Sequence, residues 1–165
     1  MKKAVINVRD YDFYDREYNV HAVEKMLTAE DMERLSTLTP EYLLSYLREN
    51  VVGKMSTSRS NDNYFVPEIK MCGFEISIQT GYYFWDKRDN KRYADGLPLW
   101  DQSYHNELIT AEEFDSLYDS PGHYVDIRIV LDGKRITCGQ MTIIGVANFF
   151  YDIVYGLSAD IDYAC

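Results

Sequence analysis

The chain is short of the residues that most site chemistries need. It has three cysteines and three histidines in 165 residues. Cys72, Cys138 and Cys165 are odd in number and widely spaced, so they imply neither a disulfide framework nor a Cys-x-x-Cys metal site. No apolar run approaches the ~20 residues that span a bilayer, so no membrane partner is expected. The opening MKKAVINVRD meets Arg9 before any signal-type apolar segment forms, which places the chain in the cytoplasm as an expectation. No stretch rich in Pro, Gly or Ser marks a linker. The most polar segment, GKMSTSRSNDN at 53–63, reads as an exposed loop, and a single globular domain over 1–165 is expected.

Catalytic and metal motifs are lacking too. There is no His-Glu-x-x-His, calcium loop, Walker loop, Gly-x-Gly-x-x-Gly or Gly-x-Ser-x-Gly elbow. His105, His123, Cys72 and Cys138 are scattered singles. His123 and Asp126 are three apart, which on a strand sends them to opposite faces. The reading therefore assigns no catalytic residue, no metal and no cofactor. Two alternatives stay open: a small cytosolic domain with a housekeeping or ligand-binding role, and an enzyme whose catalytic residues are dispersed around His105, His123 and nearby acids.

Basic residues are the last shortage. The formal net charge is −10, which opposes direct binding to nucleic acid and suits a basic protein partner. No Lys or Arg occurs from Tyr93 to Ile127, where Asp101, Glu112, Asp115 and Asp119 lie, and none follows Arg135.

Aromatic residues are plentiful, with fifteen tyrosines. In VRDYDFYDREY, residues 8–18, Asp10, Tyr11, Asp12 and Phe13 alternate. Extended, this stretch puts carboxylates on one face and rings on the other. Tyrosine supplies large contact area with few rotors, and acids beside it select a basic partner. Asp10, Asp12, Tyr14 and Asp15, with Asp101, Glu112, Asp115 and Asp119, are accordingly the expected partner-binding residues. Carboxylates standing for phosphates and rings standing for bases suit the basic channel of a nuclease or other nucleic-acid-binding protein. Small size and acidity without a catalytic motif are also the profile of phage and mobile-element inhibitors, anti-CRISPR and anti-restriction proteins among them. The expectation is a non-enzymatic inhibitor of that kind.

Local patterns predict an α+β fold, a mostly antiparallel sheet with three to four helices on one face. KAVINV, residues 3–8, is a strand that extends to about Phe13, after which YDREYN turns away. Thr28 caps one helix. Thr39 caps a second, with Pro40 at its first position and Leu43, Leu44, Leu47 and Val51 as its stripe. YFVPEIKM and GFEISIQTGYYFW read as strands and DKRDNKRYADG as a hairpin tip or loop. Thr110 and Glu113 form a capping box, with Phe114, Leu117 and Tyr118 facing inward. Asp132-Gly133 is a two-residue hairpin turn that sets Ile129 opposite Ile136 and Ile127 opposite Cys138, with Arg128 and Thr137 on the other face. TIIGVANFFYDIVYG reads as a strand to Gly145 and then a helix to Tyr155.

Overall fold

The computed structural model describes residues 1–54, 66–97 and 108–163. The expectations for Asp101, His105, Cys165 and most of the 53–63 loop lie outside them. The fold is α+β, and the described residues form two mostly antiparallel sheets and five α-helices.

The first sheet has the order β2-β1-β7. β1 (Lys2–Asp12) and β2 (Glu17–Leu27) form an antiparallel ribbon, from Lys2↔Leu27 to Asp12↔Glu17, without a register shift. β7 (Ser158–Tyr163) lies parallel to β1 on its other side. The sequence reading has neither β2 nor β7. β2 buries only Leu27, and its short alternation, Tyr18, Val20 and Ala22 between Glu17, Asn19 and His21, marks no core face. The expected turn at YDREYN is only the first half of that story, because Glu17 already begins the return strand.

The second sheet has the order β3-β4-β5-β6, from β3 (Ile69–Met71), β4 (Phe74–Gln79), β5 (Tyr124–Leu131) and β6 (Lys134–Thr142). Phe74, Ile76 and Ile78 are buried as their alternation requires. Asp132 and Gly133 have φ of 49° and 82°, the two positive values of the expected hairpin turn. The register beyond it needs correction. Leu131↔Lys134 and Val130↔Arg135 pair as expected, but a bulge then skips Ile136, so Ile129 faces Thr137 and Arg128 faces Cys138. Ile136, Thr137 and Cys138 are consequently all buried. The buried Thr137 hydroxyl donates to the Asp162 carbonyl at 2.6 Å, and this bond ties β6 to β7. The bulge thus serves a contact between the sheets that no local pattern encodes. Cys138 is disulfide-bonded, contrary to the unpaired state expected from its spacing. Among the described residues Cys72 is free.

The helices close the core. α1 (Ala29–Leu35) has a reciprocal cap in which Thr28 Oγ1 accepts from the Asp31 amide and Asp31 accepts from the Thr28 amide. α2 (Pro40–Val51) starts at Thr39 and buries Leu43, Leu47 and Val51. α3 (Gly81–Ala94) is the largest correction, because GYYFW reads as strand and DKRDNKR as loop. Aromatic β-formers fill its first turn and its N-cap Thr80 makes no side-chain bond, so no start signal is present. Gly81 at φ 72° ends the strand before it. α4 (Ala111–Leu117) is capped by Thr110 as expected and buries Phe114 and Leu117, with Tyr118 buried just beyond it. Its Glu113 side chain does not reach back, because it pairs with Arg88 of α3 at 2.8 Å. α5 (Ile143–Tyr151) begins directly after β6 on a Thr142 cap, earlier than expected, and runs into one π turn, Asp152–Gly156.

Candidate functional site

The β1–β2 ribbon outruns the core. Ala4, Ile6 and Val8 are buried on one face of β1, and burial stops there. The ladder nevertheless continues through Arg9↔Val20, Asp10↔Asn19, Tyr11↔Tyr18 and Asp12↔Glu17. These rungs have little core beneath them: Arg9, Asp10, Glu17, Tyr18, Asn19 and Val20 are exposed, while Tyr11 and Asp12 are half-buried. β7 flanks β1 as far as Asp10↔Tyr163, and beyond it the end of the ribbon, from Tyr11 to Tyr18, stands out as a two-stranded projection.

Local chemistry shapes the projection. Asp12 Oδ1 accepts from the amides of Tyr14 at 2.8 Å and Asp15 at 3.2 Å, an Asx turn that reverses the chain. Arg16 closes the reversal at φ 54°. On one face the Tyr11 ring meets Phe13 edge-on and Tyr18 at a tilt, each with centroids 5.0 Å apart. Arg9 lies over Tyr18 at 5.6 Å and pairs with Asp162 of β7 at 3.0 Å. This ring cluster stiffens a ribbon that the core does not support. On the opposite face, Asp10 and Asp12 align with Asn19 and Glu17, as their registers require. A shallow hollow is lined by Asp10, Tyr11, Asp12, Phe13, Tyr14 and Asn19. Tyr14 is 99% exposed and Phe13 82% exposed. From Asp10 to Val20 there are four carboxylates and one cation, Arg16.

The alternation read from the sequence is thus present in space: Asp10 and Asp12 on one face, Tyr11 on the other. Asp10, Asp12, Tyr14 and Asp15 come together at the tip. Asp12 has a structural duty there, since it holds the turn. Phe13, Tyr18 and Arg9 join them and are absent from the expected set. Pairing of Tyr11 with Tyr18 across the turn is the signal that finds them once the return strand is known.

The second acidic group sits on other elements. Glu112 and Asp115 lie on α4, which packs on α2 and α3, and Asp119 follows it. Asp115 receives a bidentate pair from Arg48 of α2, at 2.8 and 3.1 Å. Asp119 is bonded to Nε2 of His123, across the link from α4 to β5. The Tyr118 hydroxyl donates within the same link, between the carbonyls of Thr80 and Tyr124. Asp115 thus fastens α4 to α2, Asp119 braces the link to β5, and Tyr118 ties that link to the second sheet. Among the described residues, no cluster of three or more His, Cys, Asp or Glu side chains is placed to hold a metal. No described helix is long and apolar enough to cross a membrane.

Hydrogen-bonded carboxylates at the surface set a pH response that solvent screening keeps modest. The Arg48 guanidinium holds the Asp115 carboxyl below its ordinary value of 3.8, and the Thr28 amide does the same for Asp31. A carboxyl depressed in the folded state stabilises the fold above its unfolded pKa, and that contribution is lost as pH falls through the folded one. Thermal melting should therefore hold steady near neutrality and drop in acid below the ordinary carboxylate range. Asp115→Asn should flatten part of the drop, and an unchanged acid profile would contradict the Arg48–Asp115 coupling.

The projection offers carboxylates that accept hydrogen bonds, exposed rings and backbone, and its geometry suits binding. Compared with protein-family models, with curated proteins and with solved structures, the chain matches none.

Proposed function

We propose that the chain is a non-enzymatic interaction protein that docks the acidic, aromatic tip of its β1–β2 ribbon onto a basic partner that handles nucleic acid, and inhibits that partner. The observation that carries this reading is the continuation of the ladder past Val8, which leaves Phe13, Tyr14 and Tyr18 exposed amid four carboxylates. Hydrophobic rings held out in water with no core to fill favour a contact surface. The stiff ribbon lowers the ordering cost of docking. The carboxylates occupy the place of phosphates in a basic channel and the rings that of bases. A phage or mobile-element inhibitor of a nuclease fits this mode. Asp115 and Asp119 contribute to the long-range negative field while their exposed carboxylates stay paired with Arg48 and His123.

The test pairs capture with competition. The chain, immobilised in low salt, should retain a basic host protein and release it as salt rises, because opposed surface charges are screened over ~8 Å at physiological ionic strength. Added duplex DNA should compete with the chain for that protein. Asp10→Lys with Asp15→Lys should slow association by about tenfold or more while changing dissociation less. Asp12 is left intact because it holds the turn. Salt-independent capture, no competition, or unaltered association of the double variant would contradict the reading.

A further inference from the structure

β2 is the outermost strand of its sheet, and apart from Lys25, which lies on the core face and pairs with Asp132, it has few of the devices that usually protect such an edge. Its eleven residues contain no Pro or Gly, and its pairing with β1 shows no bulge. Glu17 to Ala22, Glu24 and Met26 are exposed. In an antiparallel pair, alternate residues turn both N–H and C=O away from the partner strand. β2 therefore presents a row of outward donors and acceptors along the length of the projection. Resting on the docking role proposed above, we infer that this edge receives an extended, basic strand of the partner, adding a fourth strand to the sheet.

Charge selects the occupant. At the tip end the edge runs beside Glu17, with Asp10, Asp12 and Asp15 on the adjoining strand and turn. Three nearby cations are engaged, Arg9 with Asp162, Lys25 with Asp132 and Lys3 with Glu24, and at the tip Arg16 stands against four carboxylates, Asp10, Asp12, Asp15 and Glu17. A second copy would bring −10 against −10, so repulsion disfavours self-pairing, whereas a cationic segment gains from the same field. The two faces define its pattern. Glu17, Asn19 and His21 point to the side of Asp10 and Asp12, and Tyr18, Val20 and Ala22 point to the side of Tyr11. An added strand of alternating side chains puts its cations against the carboxylates and its β-branched residues against Tyr18, Val20 and Ala22. Main-chain bonds then supply affinity and the acidic tip supplies orientation.

The probe is an alternating Lys-Thr peptide of about ten residues, a length near that of β2. The control has the same charge, with prolines in place of alternate threonines. Binding of each to the full chain is followed in low salt by titration, with amide hydrogen exchange as the structural readout. The alternating peptide should bind about tenfold or more tightly than the proline control, and should slow exchange at every second amide of β2. Equal binding of both peptides would overturn strand addition while leaving acidic docking intact. Binding by neither would overturn both. A doubled mass in sedimentation, with β2 amides already protected before peptide is added, would assign the edge to a second copy and overturn the proposed occupant.

Discussion

Arg88→Met is expected to destabilise the fold by about 3 kcal/mol, near the lower end of the range for breaking a buried ion pair from one side. The Arg88 side chain is only 3% exposed and its Nε meets Glu113 Oε2 at 2.8 Å. Its guanidinium also lies over the Trp85 ring at 5.8 Å. Removing it leaves the Glu113 carboxylate, 24% exposed, without its cation. Glu113 Oε1 already has no hydrogen-bond partner among the described residues. The loss should appear in urea unfolding as a lower midpoint at unchanged slope. Arg88→Met with Glu113→Leu should recover much of it, since desolvating the lone carboxylate is the main cost. A single variant as stable as the native chain would show that α3 and α4 are held by Phe84 and Phe114 alone.

Phe150→Ala is expected to cost about 3–5 kcal/mol. Phe150 is fully buried, edge-on to Phe74 with centroids 5.3 Å apart, and so joins α5 to β4. The truncation removes both the buried ring and its packing against Phe149, 5.0 Å away. Tyr14→Ala makes the informative contrast. That ring is 99% exposed, so its removal should change stability by no more than ~0.5 kcal/mol. A marked destabilisation by Tyr14→Ala would mean that the ring serves the fold, and a cost for Phe150→Ala under ~1 kcal/mol would mean that the core relaxes around it.

What the sequence made legible was local. The caps at Thr28, Thr39 and Thr110 each depend on residues within three positions, and the Asp132–Gly133 turn depends on its own two. Features decided far along the chain were hidden. β7 finds β1 across most of the sequence, the bulge at Ile136 serves a bond to Asp162, and Glu113 is taken from its expected cap by Arg88. α3 was masked by rings that favour strands, and β2 by the turn read into YDREYN, which covers the start of its alternation at Tyr18, Val20 and Ala22. The same division runs through the site. The alternation of Asp10, Tyr11 and Asp12 was readable, because a strand's period fixes it. That these residues project beyond the core was not, because projection depends on where the rest of the chain stops burying β1.

The most direct measurement is the hydrogen-exchange footprint of the full chain on a captured basic partner. The account predicts slowed exchange from Arg9 through Glu24, strongest at the turn from Phe13 to Arg16 and along β2, with α4 and the second sheet unchanged. Protection confined to α4 and the residues after it, with the ribbon exchanging as freely as in the isolated chain, would contradict it.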